Sequence, residues 1–205
     1  MGADATEVLV LGIGNLLWAD EGFGVRCVEE FARRFRLPEG LRAMDGGTQG
    51  LYLLPYVQTA RRLIVFDAVD FGLPAGTLHL VENDAVPRFL GAKKMSLHQT
   101  GFQEVLAAAA LTEQLPASLL LIGVQPVELD DYGGSLTPEI RASIGEAVEL
   151  AAARLRDWGF ALEPRTGANT GSLNDASLNL DAYETGRPSE QAACRVGDGR
   201  VLWGS

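Results

Sequence analysis

The sequence predicts an α/β domain of three layers, with a twisted, mostly parallel five-stranded sheet between helices and one antiparallel edge strand. Two observations predict it. Short runs of Val, Leu and Ile alternate with stretches of helical spacing, the pattern of a parallel sheet covered on both faces. One pair of runs breaks the alternation. Only residues 68–75 separate the third run from the fourth, whereas a parallel crossover needs about a dozen residues or more. The fourth strand is therefore expected to be antiparallel and to lie at an edge.

Each element follows from local chemistry. Residues 7–12 hold an apolar run that follows Glu7 and ends in glycine, a buried first strand. From residue 22 to 36 the apolar side chains Phe23, Val25, Cys27, Val28, Phe31 and Phe35 recur near helical spacing. Asp20 and Glu21 sit at the start of that helix and Arg33, Arg34 and Arg36 near its end, as the helix dipole favours. Residues 41–45 form a second strand, stopped by Gly46 and Gly47. Residues 51–57 read as a short helix or turn interrupted by Pro55. Residues 62–67 and 76–82 are strands three and four, 98–111 an alanine-rich helix and 119–124 a fifth strand. Thr137 and Pro138 occupy the N-cap and first position of a last helix, which Gly159 stops.

At 205 residues the chain suits one principal domain. We place it at residues 1–163. Residues 164–205 show little periodicity and many turn formers, and read as a low-complexity, flexible tail. The net charge of −10 offers no basic footprint, which argues against nucleic acid as partner. No apolar stretch reaches the ~20 residues of a membrane span, so no membrane insertion is expected. The N-terminus lacks the basic start of a secretory signal, so the cytoplasm is the expected compartment. Cys27 and Cys194 have no CxxC spacing and support neither a disulfide framework nor a zinc knuckle.

Three side chains fall where an open α/β sheet keeps its chemistry. Glu21 follows the first strand, Asp67 ends the third, and His98 opens the alanine-rich helix. Ligands of such sheets bind beyond the carboxyl ends of the strands. Two carboxylates and an imidazole brought together there would form an incomplete shell for a transition metal. Asp20 and Asp45 are nearby carboxylates suited to act as a base or to support the metal-facing residues. Gly12-x-Gly14 suggests instead a dinucleotide turn with Asp45 on the ribose, but Leu17 replaces the third glycine, and Asp20 and Glu21 stand where a pyrophosphate needs donors. Helix capping accounts equally well for Asp20 and Glu21 taken singly. His79 alternates within the edge strand and reads as a surface or packing residue. There is no Gly-x-Ser-x-Gly elbow and no HExxH.

The string Val8-Leu-Val-Leu-Gly-Ile-Gly-Asn-Leu-Leu-Trp-Ala-Asp-Glu-Gly-Phe-Gly-Val-Arg26 resembles the opening of the nickel–iron hydrogenase maturation endopeptidases. So do Asp45-Gly-Gly-Thr48, Phe66-Asp67-Ala68, Ser96-Leu-His-Gln-Thr-Gly101 and Leu121-Ile-Gly-Val-Gln-Pro126, in the same order, over roughly residues 7 to 160. The resemblance implies a peptidase that trims the C-terminal extension of the hydrogenase large-subunit precursor after nickel insertion. It implies that Glu21, Asp67 and His98 contact a nickel ion supplied by that precursor, the resting enzyme being metal-free. A nucleotide-binding regulatory or oxidoreductase domain and a non-catalytic nickel chaperone are the alternatives. Tight dinucleotide binding would mark the first, and an uncut precursor the second.

Overall fold

The structure, a computed structural model, describes residues 6–87, 97–165, 173, 174, 178 and 180–186, with residues 97–100 described in their backbone only. The five-stranded sheet forms from β1 (Val8–Ile13), β3 (Leu41–Gly47), β4 (Arg62–Ala68), β5 (Leu78–Glu82) and β6 (Ser118–Val124), in the order β3-β1-β4-β6-β5. β1 lies parallel to β3 and β4, and β4 parallel to β6, while β5 runs antiparallel to β6 at the edge, as the short 68–75 connection requires.

Alternation along the strands builds two cores. Val8, Val10, Ile64, Phe66, Leu120 and Ile122 face one side, where they meet Phe23, Cys27 and Phe31 of α1 (Phe23–Arg34) and Val148, Ala151 and Leu155 of α4 (Pro138–Asp157). The intervening residues Leu9, Leu11, Leu63, Val65, Leu119 and Leu121 face the other, against Val57 of α2 (Leu54–Thr59) and Phe102, Val105 and Leu106 of α3 (Leu97–Leu111). Because both faces are covered, the central strands are apolar at every position rather than at every second one. Cys27 is fully buried in α1, and burial pushes its thiol well above the usual range, so it packs as a small hydrophobe. Cys194 lies outside the described residues.

Local details refine the sequence reading. The first helix stops at Arg34, because Phe35–Arg36 extends as β2 and pairs antiparallel with β7 (Glu163–Pro164). The segment around Pro55 is the short helix or turn expected: a 3₁₀ turn, Gly50–Leu53, leads into α2, with Pro55 in its first turn, where the missing N–H costs no bond. Thr137 does occupy the N-cap of α4, but its hydroxyl makes no cap bond to that helix and turns to Asp20 instead. Gly159 follows α4 at φ 89°, a conformation suited to glycine, as its stop signal implied.

Beyond β7 the described residues lie against the domain. Arg26 donates to the Leu178 carbonyl, Tyr183 of the short helix α5 (Leu180–Gly186) donates to the Gly134 carbonyl, and Ser135 donates to Glu184. These contacts are polar, which is why apolar periodicity gave no sign of them. His79 is exposed on β5 with its ring against Phe71 at 4.8 Å, the packing role expected of it. Among the described residues no helix is long and apolar enough to cross a membrane.

Candidate functional site

The chain leaves β1 toward β3 on one side and reaches β4 on the other, so the gap between the carboxyl ends of β1 and β4 is the sheet's switch point, where open α/β folds bind ligands. Both carboxylates singled out for metal contact belong to this place. Asp67 lies at the end of β4, 1% exposed. Glu21 sits in a 3₁₀ turn, Ala19–Gly22, which packs back against β4.

Two glycines permit that return. Gly14 has φ 138°, and a Cβ there would stand 1.8 Å from the Glu21 carbonyl oxygen, so only glycine lets the loop fold over the strand end. A Cβ on Gly24 would lie 2.2 Å from the carbonyl oxygens of both Ile13 and Phe66, so α1 starts in direct contact with the two strand ends. A Cβ on Gly12 would stand 2.3 Å from the Gly24 carbonyl oxygen, so both glycines that resemble a dinucleotide turn, Gly12 and Gly14, are used for close packing.

The loop is also latched from above. The Asp20 amide donates to the Glu128 carbonyl at 3.1 Å and the Gly133 amide to the Leu17 carbonyl at 2.7 Å, while the Trp18 and Tyr132 rings meet edge to face. Asp20 itself is fully buried. Its Oδ2 accepts from the amides of Val127 and Glu128, both at 2.9 Å, and its Oδ1 from the Thr137 amide at 2.7 Å and the Thr137 hydroxyl at 3.0 Å. A carboxylate held by so many donors and sealed from solvent has no lone pair to offer a reacting proton. Of the two roles the sequence left to Asp20, its geometry suits support.

Glu21, half-buried beside this latch, has its carboxyl raised to about 7, first by burial and then by the neighbouring Asp130 carboxylate. Two acids held together resist ionising together, and the proton stays with Glu21. Asp130 was not singled out in the sequence, since nothing local marks it as facing Glu21.

Asp45 ends up one strand away. It lies near the end of β3 opposite Gly12 of β1, half-buried. Asn174 donates to its Oδ2 at 2.6 Å, while Oδ1 is buried beside the Gly47 backbone. Burial raises its carboxyl above the usual range, against the lowering effects of the Asn174 amide and the Gly47 backbone. Asn174 falls in a polar stretch with no pattern to reveal it.

His98 belongs to the first turn of α3, and its side chain lies outside the described residues. A Cβ on Gly101 of the same helix would stand 3.3 Å from the Gly50 α-carbon, so α3 begins close against the 3₁₀ turn that follows β3. Among the described residues no cluster of three or more His, Cys, Asp or Glu side chains is grouped to hold a metal. On the far side of β4, Gln125 accepts from the amides of Phe71 and Leu73 and donates to Asp70, fixing the loop that leaves Asp67.

The fold and site define a class: an open, doubly wound α/β domain whose switch-point crevice is lined with carboxylates rather than shaped for phosphate. Comparison with known proteins narrows it. A sequence model described as hydrogenase maturation protease matches residues 25–154. The hydrogenase expression/formation protein HupD of Thiocapsa roseopersicina is 59% identical over 198 residues, 96% of this chain and 90% of its own. The hydrogenase 2 maturation protease of Escherichia coli is 40% identical over 160 residues, covering 78% and 96%. The solved structure of the E. coli hydrogenase maturating endopeptidase HybD superposes with a TM-score of 0.74 at 38% identity, over 78% of this chain and 98% of that one. The chain belongs to the hydrogenase maturation protease family.

Proposed function

We propose that this protein is an endopeptidase that removes the C-terminal extension of a nickel–iron hydrogenase large-subunit precursor, and that it recognises the precursor by the nickel already inserted there. What supports the reading is the position of Glu21 in the turn after β1 and of Asp67 near the end of β4, the two strands that flank the switch point, with the Glu21 carboxyl raised to about 7 by burial and Asp130, in a chain of this family.

The metal is the substrate's own. Carboxylate and imidazole are acceptable donors to nickel, so Glu21, Asp67 and His98 would complete a shell that the precursor leaves open. Nickel there supplies polarising charge and a fixed point from which the cleavage site is aligned. Asp45, with its raised carboxyl and one oxygen anchored by Asn174, is the carboxylate placed to take a proton from the attacking water. Asp20 holds the Glu21 loop in position. The soluble precursor would meet the enzyme in the cytoplasm.

The direct test is incubation with nickel-loaded precursor followed by mass spectrometry of the intact chains. A precursor shortened at its C-terminus supports the proposal, and an unchanged mass refutes it in favour of a nickel carrier. The two histidines provide paired variants. His98→Ala is expected to abolish shortening and, if its role is metal contact, to leave the thermal midpoint nearly unchanged. His79→Ala, exposed on β5, is expected to process normally. Full cleavage by His98→Ala, or failure caused by unfolding, would remove His98 from the site.

A further inference from the structure

A cavity of about 490 Å³ is lined by residues 42–45 and 47 of β3, by Thr48 and Gln49, and by Leu173 and Asn174. Successive side chains of a strand point to opposite faces of its sheet. A cavity that touches consecutive positions therefore runs along the strand's edge, against its backbone. β3 is an edge strand: among the described residues it pairs with β1 and has no strand on its other side. An open edge presents a row of N–H and C=O groups ready to pair with another chain.

The opposite wall is built and fixed. Leu173 packs against the core cluster beneath α1. Asn174 donates to Asp45 Oδ2 at 2.6 Å and to Glu29 Oε1 at 2.9 Å, and Glu29 is held by the buried Arg26, which also donates to the Leu178 carbonyl at 2.5 Å. The slot thus has a strand edge on one side, a polar-anchored wall on the other, and Asp45 at the end nearest the crevice. At its other end Arg42 is exposed, its guanidinium 4.7 Å from the centre of the Tyr56 ring.

The geometry points to a peptide site: the slot between the edge of β3 and residues 173–174 takes an extended segment of the protein substrate as an added strand, bringing its backbone past Asp45. This rests on the peptidase reading above and adds where the chain to be cut lies. An extended peptide satisfies a strand edge through its own backbone, whatever its side chains. The five β3 positions that line the slot span about 16 Å at ~3.3 Å per residue, so a few residues of substrate lie alongside. Arg42 suits an acidic side chain or a chain terminus at its end. A phosphate ligand would meet Asp45 where it needs a donor.

Two measurements on the full-length protein test this. In the first, a synthetic peptide spanning the C-terminal region of a nickel–iron hydrogenase large-subunit precursor is added at up to millimolar concentration, and amide hydrogen exchange is followed. Slowed exchange at the β3 amides that β1 leaves unpaired, lost in Thr48→Trp, is the expected result. Binding that leaves those amides unchanged, or no binding at all, overturns the slot. In the second, Thr48→Trp is assayed on nickel-loaded precursor. Thr48 is exposed, so the indole obstructs the slot without disturbing the core. KM is expected to rise about tenfold or more, the equivalent of ~1.4 kcal/mol of binding, with kcat little changed. An unchanged KM alongside normal cleavage overturns the slot and leaves the peptidase reading standing. Protected β3 amides without any cleavage by the wild type would do the reverse.

Discussion

Glu21→Gln is expected to cost more than about a hundredfold in precursor processing and, above pH 7, to leave the protein more stable than the wild type. The activity loss follows from the proposed role. Residues that merely orient a metal ligand are worth about 10–100-fold, so loss of a ligand's charge exceeds that. The stability gain follows from the environment. Burial and Asp130 raise the Glu21 carboxyl from its ordinary 4.5 to about 7, so the folded protein binds this proton more tightly than the unfolded chain. The folded state therefore has its full share of stability from Glu21 below pH 4.5, loses it as pH rises toward 7, and carries the whole penalty above 7. Glutamine, neutral and of the same shape, avoids the penalty. Because Glu21 is only half-buried, solvent screening limits the gain to about 1 kcal/mol. Denaturation curves of the two proteins at pH 5 and pH 8 check this: a gap that opens at pH 8 is expected. Equal stability at both pH values would show that Glu21 is not strained. For the wild type, processing should weaken as pH falls below about 7, since the proton on Glu21 competes with the cation.

Asp20→Ala should be the most destabilising single change near the site, by about 3–5 kcal/mol. It leaves three amides, those of Val127, Glu128 and Thr137, and the Thr137 hydroxyl facing a void inside the protein. For a domain of this size the melting temperature would fall by about 10 °C. Asp20→Asn should be intermediate, because one oxygen becomes an N–H pointing at donors. Both variants should lose processing as well, since the latch that carries Glu21 opens. The diagnostic difference from Glu21→Gln is the sign of the stability change. A mild Asp20→Ala, within about 1 kcal/mol of wild type, would show that water or neighbouring groups replace the carboxylate and that the latch is not its role.

The architecture was legible in the sequence because it depends on the period and length of apolar runs. Residues 63–66 and 119–122 are apolar at consecutive positions, which a strand covered on both faces explains, and the 68–75 connection is too short for anything but an antiparallel neighbour. The nearness of Glu21 and Asp67 to the carboxyl ends of the adjacent strands β1 and β4 followed from the same logic, since strand order in an open sheet fixes where the switch point falls. Gly12 and Gly14 were visible as special, yet their purpose was not. The sequence shows a residue that needs no side chain, and only the fold shows that the space is taken by α1 and the Glu21 backbone.

What tertiary structure alone decided were the long-range polar contacts. Asp20 and Glu21 are neighbours of one chemical type, and capping could account for either taken singly. Which of them is sealed and which stays open to the crevice depends on amides more than a hundred residues away. Asp130 bears on Glu21 from the same distant loop. Asn174 reaches Asp45 from a stretch whose composition suggested no packing at all. Apolar burial leaves a periodic trace because it must recur along every strand and helix. A single hydrogen bond between distant residues need occur only once, and leaves none.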